Sequence, residues 1–184
     1  MKRKITAATA VFFTTISIAS SVFAHDGTVN FTGKIIEAGC KIDGNITADK
    51  DVELGEISRT AFTTSGDTAA TTPFSLVLTE CPASLLGKSV NVKYEGTPDN
   101  INNDYLQLTG YGDSGVAKGV AIELLNADLS SLPLGTESNA VNIQGTADAP
   151  AETNLNFFAR YVSTEASVTA GTANATVNFT LTYN

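Results

Sequence analysis

The sequence is poor in the side chains that enzymes most often use for catalysis. Among 184 residues it has one histidine, His25, and two cysteines, Cys40 and Cys81. A serine or cysteine nucleophile needs a base that a third group orients, and a zinc site needs several histidine or cysteine ligands. No serine lies in a nucleophile-elbow motif. We therefore expect no catalytic, metal or cofactor site, and the sequence predicts a protein that is not an enzyme.

Basic residues are also scarce. The chain has 11 Lys and Arg against 19 Asp and Glu, and Lys2, Arg3 and Lys4 fall in the leader described next, which leaves 8 basic residues, 19 acidic residues and a balance of −11. A nucleic acid backbone would be repelled by this charge, and no stripe of Lys and Arg is interleaved with aromatic residues. The composition argues against a nucleic-acid partner.

Only one long apolar run is present, from residue 5 to residue 19. It follows three basic residues, precedes the small-residue site Val22-Phe23-Ala24, and is shorter than the roughly 20 residues that span a bilayer. This pattern is typical of a secretory signal peptide over residues 1–24. We expect export and cleavage after Ala24, a mature chain of 160 of the 184 residues, one domain and no direct membrane insertion.

The two cysteines should pair once the chain has left the reducing cytoplasm. Cys40 and Cys81 have no other possible partner, and 41 positions separate them. In the chain-entropy model a loop of that length stabilises the fold by about 4 kcal/mol.

The rest of the chain has the alternation of a β protein, with turn signals every 8 to 12 residues and no sustained helical period. This spacing predicts a β-sandwich. We predict internal strands over residues 36–40, 51–54, 74–81, 88–94, 105–108, 116–125, 141–143 and 154–162, the last of them central in its sheet.

Two further stretches alternate strictly between apolar and polar residues. Near the end of the chain the apolar face carries Ala175, Val177, Phe179, Leu181 and Tyr183. After the leader, one face carries Gly27, Val29, Phe31, Gly33 and Ile35. Period-two alternation places each set on one side of an extended strand. From the pattern alone, the second stretch fits an ordinary first strand of a sandwich at least equally well.

Two motifs that suggest ligand binding have simpler explanations. Gly110, Gly112 and Gly115 match the letters of a dinucleotide fingerprint, but strand-like residues and another glycine follow where that motif needs a helix. Asp49, Asp51 and Glu53 lack the glycine turn and the bidentate glutamate of a calcium loop. A loop and a solvated strand face account for them.

Several of these residues together resemble the major pilin subunits of chaperone–usher fimbriae of the type 1 and P-pilus kind. The segment from Gly27 to Cys40 is similar to that family's N-terminal extension, and Leu54-Gly55 and Cys81 stand at matching places. The motif Phe157-Phe-Ala-Arg-Tyr161 resembles its near-terminal strand. Gly171, fourteenth from the end, and the penultimate Tyr183 match its C-terminal signature.

The resemblance implies an incomplete immunoglobulin-like β-sandwich that lacks its final strand and is completed by donor-strand complementation. Residues 25–36 would form the donor extension and residues 37–184 the pilin domain. The donor face would be Gly27, Val29, Phe31, Gly33 and Ile35. The groove and chaperone-binding strand would comprise Gly171, Val177, Phe179, Leu181, Tyr183 and Asn184.

The resemblance also implies partners and a location. These are identical or homologous fimbrial subunits, a periplasmic chaperone whose basic residues bind the terminal carboxylate of Asn184, and an outer-membrane usher. The expected product is a cell-surface fimbrium that supports bacterial adhesion. The alternative is a minor, tip or adaptor subunit with a carbohydrate-binding role, although a tip adhesin usually adds a lectin domain for which this chain is too short.

Overall fold

A computed structural model describes residues 28–46 and 48–184. The leader, His25 and Gly27 lie outside the described residues. Residues 36–184 form one compact unit, and residues up to 35 belong to another. The described elements are β1 (Lys41–Ile42), a 3-10 helix (Arg59–Ala61), β2 (Thr68–Thr79), β3 (Ser89–Glu95), β4 (Val120–Asn126), β5 (Val141–Asn142), β6 (Gly145–Thr146), β7 (Ala149–Pro150), β8 (Thr153–Ser163) and β9 (Asn178–Tyr183).

Compact unit 36–184 is built from two main antiparallel sheets. The first has the order β1-β2-β8-β4 and the second has the order β5-β3-β9, while β6 and β7 form a small hairpin. Strand β8 has a neighbour on both sides, as predicted for residues 154–162. Within the part of the chain that the structure describes, strand β9 pairs with β3 alone.

The core lies between the inward faces of the two sheets, where alternate residues of each strand meet. Leu76 and Leu78 of β2, Val90 and Val92 of β3, and Leu155 of β8 are each at most 1% exposed. A cluster of four aromatic rings, Phe74, Tyr94, Phe157 and Phe179, joins β2, β3, β8 and β9. Burial of large apolar faces on both sheets is what holds the sandwich together.

The prediction that a strand begins only after Pro73 is wrong. Strand β2 begins at Thr68, and Pro73 lies within it opposite Phe158 of β8. The other side of β2 is paired with β1 only at Leu78 and Thr79. A proline, which has no N–H to donate, is tolerated here because that side has no ladder to lose. The register also shifts between Ala69 and Thr72, where Ala70 has a φ of 57°.

Five other strand predictions fail or shorten. No strand forms over residues 51–54, only Lys41–Ile42 forms near the stretch 36–40, and residues 105–108 contribute isolated bridges at Leu106. The stretch 116–125 becomes β4 from Val120, while the stretch from Ala175 becomes β9 only from Asn178. Alternation gives a residue its face, but a strand also needs a hydrogen-bonded neighbour.

The predicted disulfide between Cys40 and Cys81 is present. Cys40 directly precedes β1, and Cys81 follows β2 by two residues. The bond therefore reinforces the short β1–β2 ladder, which pairs only Lys41 with Thr79 and Ile42 with Leu78.

Candidate functional site

The candidate site is the outer edge of β9. Over its whole length β9 pairs with β3, from Asn178 opposite Glu95 to Tyr183 opposite Val90. Among the described residues no strand pairs with the other edge. The backbone N–H and C=O groups on that side form an unfilled ladder, which is a template for another strand.

The side chains beside this edge are apolar and only partly covered. Val177, Phe179, Leu181 and Tyr183 pack against the core, yet each remains half-buried. The alternating residues Asn178 and Thr180 are exposed on the other face. Strand β9 thus presents to its open side both unpaired backbone groups and an incompletely buried apolar row.

A second wall is formed by the segment from Cys40 to Ile57, of which the structure describes all but Thr47, and it meets the β9 side at its two ends. Its beginning lies against the end of β9, because the Cys40 N–H donates a 3.1 Å hydrogen bond to the Tyr183 hydroxyl. Its end lies beside the approach to β9, where residues 55–62 and 168–174 line one cavity. The two walls therefore run in opposite directions. We call the space between them the edge groove.

The edge groove is tight at the Tyr183 end. Gly39 has no side chain, and a Cβ atom there would lie 2.8 Å from the Tyr183 hydroxyl oxygen. Burial raises the pKa of the Tyr183 phenol, while the hydrogen bond from Cys40 acts in the opposite direction. The phenol stays protonated at neutral pH and accepts the Cys40 amide proton through its oxygen lone pair.

The groove widens at the other end, near Gly171. The cavity there has a volume of about 480 Å³. Its lining is mainly apolar, with Phe62, Val120 and Val168 at its base and one charge of each sign, Glu56 and Arg59. Such a cavity accommodates one large apolar side chain with room to spare.

Gly171 is where the chain turns into the groove wall, and the structure explains why it is glycine. A Cβ atom on Gly171 would lie 2.5 Å from the Val116 carbonyl carbon. Thr172 and residues 115–117 are joined there by two backbone hydrogen bonds, from Ala117 N–H and Thr172 N–H, of 3.0 and 2.8 Å. Only a residue without a side chain permits this close backbone approach.

Asn184 extends the pairing of β9 with β3 by one residue. Its N–H donates to the Ser89 carbonyl at 2.8 Å, and its side-chain amide donates to the Asn91 Oδ1 at 2.9 Å. Asn91 in turn donates to the Ser138 carbonyl at 2.7 Å. The far end of β9 is thus held firmly on its β3 side.

The predicted donor residues lie in the other unit, which ends at Ile35. Residues 28–35 contain no strand, and Val29, Phe31 and Ile35 are 76%, 93% and 98% exposed. Gly33 has open space around it, and Gly27 lies outside the described residues. Three large apolar side chains exposed at alternate positions are unusual for a folded protein and indicate a binding segment.

Sequence reasoning placed the β9 wall but missed the opposite one. It did not single out Gly39, Phe62 or Arg59, which lie far along the chain from β9. The signals available were Gly39 beside Cys40 in the segment that resembles the N-terminal extension and the matching pair Leu54-Gly55, of which Gly55 lines the cavity. Asp49, Asp51 and Glu53 are exposed, and the described residues contain no group of three His, Cys, Asp or Glu side chains that could hold a metal ion. Within the same residues, no helix has the length and apolar character needed to cross a membrane.

Comparisons with known proteins agree on one family. A family model described as "Fimbrial protein" matches residues 29–184. The chain is 32% identical to the probable major fimbrial subunit LpfA of Escherichia coli O157:H7, covering 100% of this chain and 97% of the relative. It is 31% identical to the minor fimbrial subunit HifD of Haemophilus influenzae, covering 91% and 78%. The crystal structure of the P pilus rod subunit PapA shares the fold, with a TM-score of 0.63 at 23% identity, covering 80% of this chain and 100% of that one.

Proposed function

The chain belongs to the fimbrial protein family of chaperone–usher pili, and from that premise we propose that it is a shaft subunit that polymerises head to tail. In this proposal residues 27–35 of one subunit enter the edge groove of the next and add a strand to β9. The contact is heterologous and does not close, so it generates a fibre.

One observation carries the proposal: the chain contains both halves of a complementary pair. The open side of β9 offers unpaired backbone groups and a half-buried apolar row. Residues 29–35 offer exposed apolar side chains at the same period of two. Strand addition satisfies the backbone groups, and burial of each of Val29, Phe31 and Ile35 contributes about 1.5–3 kcal/mol.

The position of Cys40 favours one direction of insertion. Each subunit's own N-terminal segment joins its domain near Tyr183, because Gly39 and Cys40 lie against that residue. In a linear fibre the neighbour that donates its segment to this subunit's groove must then lie at the opposite end of the domain, near Gly171. The inserted strand therefore runs antiparallel to β9, with Ile35 in the wide cavity and Val29 towards Tyr183.

A periplasmic chaperone and an outer-membrane usher complete the proposal. An open strand edge beside half-buried apolar side chains is prone to aggregation, so it needs a temporary cover before assembly. The chaperone would supply that cover along β9 and bind Asn184 at its end. Export through the periplasm, directed by residues 1–24, then delivers the subunit through the usher to a cell-surface fimbrium that supports adhesion.

A minor, tip or adaptor role, with carbohydrate binding, is the second candidate. The chain is 31% identical to a minor fimbrial subunit and 32% identical to a probable major one. These nearly equal identities support the minor role almost as strongly as the shaft role. Immunogold labelling of fimbriae from the producing cell separates the two. Label along the whole fibre supports the shaft, and label confined to the tip or its junction supports the alternative.

The polymerisation proposal is tested by adding one charge to either face of the donor segment. Phe31→Asp should abolish the ladder of polymers seen on unheated denaturing gels, because a carboxylate would have to enter an apolar groove. Asn30→Asp, which adds the same charge on the polar face one residue away, should leave the ladder intact. A normal ladder from Phe31→Asp would overturn the proposal.

Paired cysteines test the direction of insertion. Ile35→Cys combined with Ala173→Cys should cross-link neighbouring subunits, since Ala173 lines the wide cavity. Ile35→Cys combined with Leu181→Cys should not, because Leu181 lies on the same face of β9 but towards its other end. The reverse result would show parallel insertion.

A further inference from the structure

Cys40 is held from two directions at the point where the N-terminal segment joins the domain. Its side chain is bonded to Cys81, which follows β2 in the four-stranded sheet. Its backbone N–H donates to the hydroxyl of Tyr183, which belongs to β9 in the three-stranded sheet. One residue is therefore tied to both sheets of the sandwich.

The contact with Tyr183 is built on both sides. Gly39 supplies the space, since any Cβ at that position would meet the hydroxyl at 2.8 Å and the ring carbons at 3.3 and 3.4 Å. The ring itself is half-buried and packs against the core. The hydroxyl is thus delivered to the Cys40 amide by a side chain that has little freedom to move.

Tyr183 also belongs to the edge groove. It is the last residue of β9, and its backbone pairs with Val90 of β3. A strand added to the open edge of β9 would restrain this end of the groove wall as well. Tyr183 would therefore contact a neighbour's donor strand in the groove, and it also holds Cys40, where this subunit's own N-terminal segment begins.

We propose that Tyr183 is a positioning residue that links the two contacts each subunit makes in a fibre, namely its edge groove and its N-terminal segment. Its hydroxyl fixes the direction in which the N-terminal segment leaves the domain. This inference rests on the proposed donor-strand function. In a fibre, occupation of the groove by one neighbour would then fix the segment offered to the other. The angle between successive subunits would follow from that link.

The test compares fibres of the full mature chain with fibres of Tyr183→Phe, which keeps the ring and removes only the hydroxyl. Tyr111→Phe is the matched control, because it removes a phenol hydroxyl whose hydrogen bond, to Glu165, is 3.5 Å long and involves neither Cys40 nor β9. Hydrogen exchange of residues 36–42 is measured by mass spectrometry, with segments of β3 and β8 as internal references. Fibre bending is measured by electron microscopy.

In Tyr183→Phe we expect the Cys40 amide to exchange about 5- to 10-fold faster, the effect of losing one hydrogen bond, and the fibres to bend more readily. Exchange in β3 and β8 should not change. Tyr111→Phe should match the unaltered chain in every measurement. Gly39→Ala, which displaces the same hydroxyl from the other side, should reproduce Tyr183→Phe and carries the test if that variant fails to form fibres.

Two results would overturn the inference. One is unaltered exchange at Cys40 together with unaltered bending. The other is faster exchange throughout β3 and β8, which would show that the hydroxyl only stabilises the fold. Failure of the proposed function looks different, because Phe31→Asp would then polymerise. If Phe31→Asp blocks assembly while Tyr183→Phe changes nothing, only the present inference fails.

Discussion

Strands β8 and β9 have nearly the same sequence pattern but different surroundings. Both alternate apolar and polar residues, and both place the apolar set against the core. In β8, Leu155, Phe157 and Ala159 are 1%, 4% and 5% exposed. In β9, Phe179 and Leu181 remain half-buried. The difference accompanies the topology, since β8 lies between β2 and β4 while β9 has β3 as its single partner among the described residues.

This contrast shows that alternation and burial are separate properties. A pattern of period two tells which side of a strand is apolar, but the elements packed around the strand decide how well that side is covered. β8 is complete within one chain. Among the described residues β9 has one open edge, and under the proposed strand addition a second molecule completes it.

The largest expected effect comes from truncating the same residue type in the two strands. Leu155→Ala should lower the free energy of unfolding by about 2–5 kcal/mol, because it leaves a cavity in a closed core. Leu181→Ala should cost the free subunit roughly half of that, since its side chain is already partly solvated. Urea denaturation of the two variants measures the difference.

In fibres the difference between the stability losses of Leu155→Ala and Leu181→Ala should narrow, because the proposed donor strand completes the burial of Leu181. Resistance of the polymer to dissociation in denaturant measures how much the Leu181 side chain contributes to stability in the fibre. Equal losses in free subunits, or a Leu181→Ala fibre as resistant as the unaltered one, would contradict the contrast between β8 and β9.

A smaller effect is expected from adding a methyl group to a glycine of the groove wall or to a glycine of the proposed donor segment. Gly171→Ala should destabilise the free subunit by about 1–3 kcal/mol, because the new Cβ would press on the Val116 backbone. Gly33→Ala should leave the free subunit unchanged, since nothing lies within 4 Å. Thermal unfolding of both variants provides the measurement, and a destabilised Gly33→Ala subunit would show that the segment is packed.

The smallest expected effect is a loss of stability at low pH, and it should be confined to the end of β8. Hydrogen bonds from the backbone N–H groups of Thr64 and Thr63, and from their hydroxyls, lower the pKa of Asp67 from 3.8 to about 2. The Asp67 carbonyl also accepts from the Ser163 N–H at the end of β8. A lowered pKa in the folded state means that the carboxylate stabilises the fold above about pH 4 and loses this effect as the pH falls towards 2.

Asp67→Asn should therefore flatten the decline in melting temperature between pH 5 and pH 2. Hydrogen exchange should locate the acid-sensitive part at the end of β8 and leave β9 unaffected. An identical pH profile for the variant and the unaltered chain would show that Asp67 does not matter in this range.

Much of the fold could be predicted from the sequence because it depends on neighbours in the chain. The faces of β3, β8 and β9 follow from alternation, and the Cys40–Cys81 bond follows from there being two cysteines in an exported chain. The all-β, incomplete immunoglobulin-like sandwich is confirmed by the structure and the shared fold. Membership in a family of structural fimbrial subunits confirms that the chain is not an enzyme.

The rest depends on contacts between residues that are distant in sequence. Pro73 looks like a strand boundary until the pairing of β2 shows that one of its sides is open. Gly39 gives no sign that it makes room for Tyr183, which lies 144 positions away. The groove wall between Cys40 and Ile57 forms no strand beyond β1, because the rest of it pairs with no strand among the described residues.

Pro73 has a consequence for the connectivity of the fibre. Beyond its short ladder with β1, strand β2 would offer a second open edge, but the missing N–H of Pro73 and the bulge at Ala70 interrupt it. A strand from another molecule finds a continuous ladder on β9 and a broken one on β2. Under the proposed strand addition each subunit has a valence of one acceptor and one donor, and units with that valence form unbranched threads rather than networks.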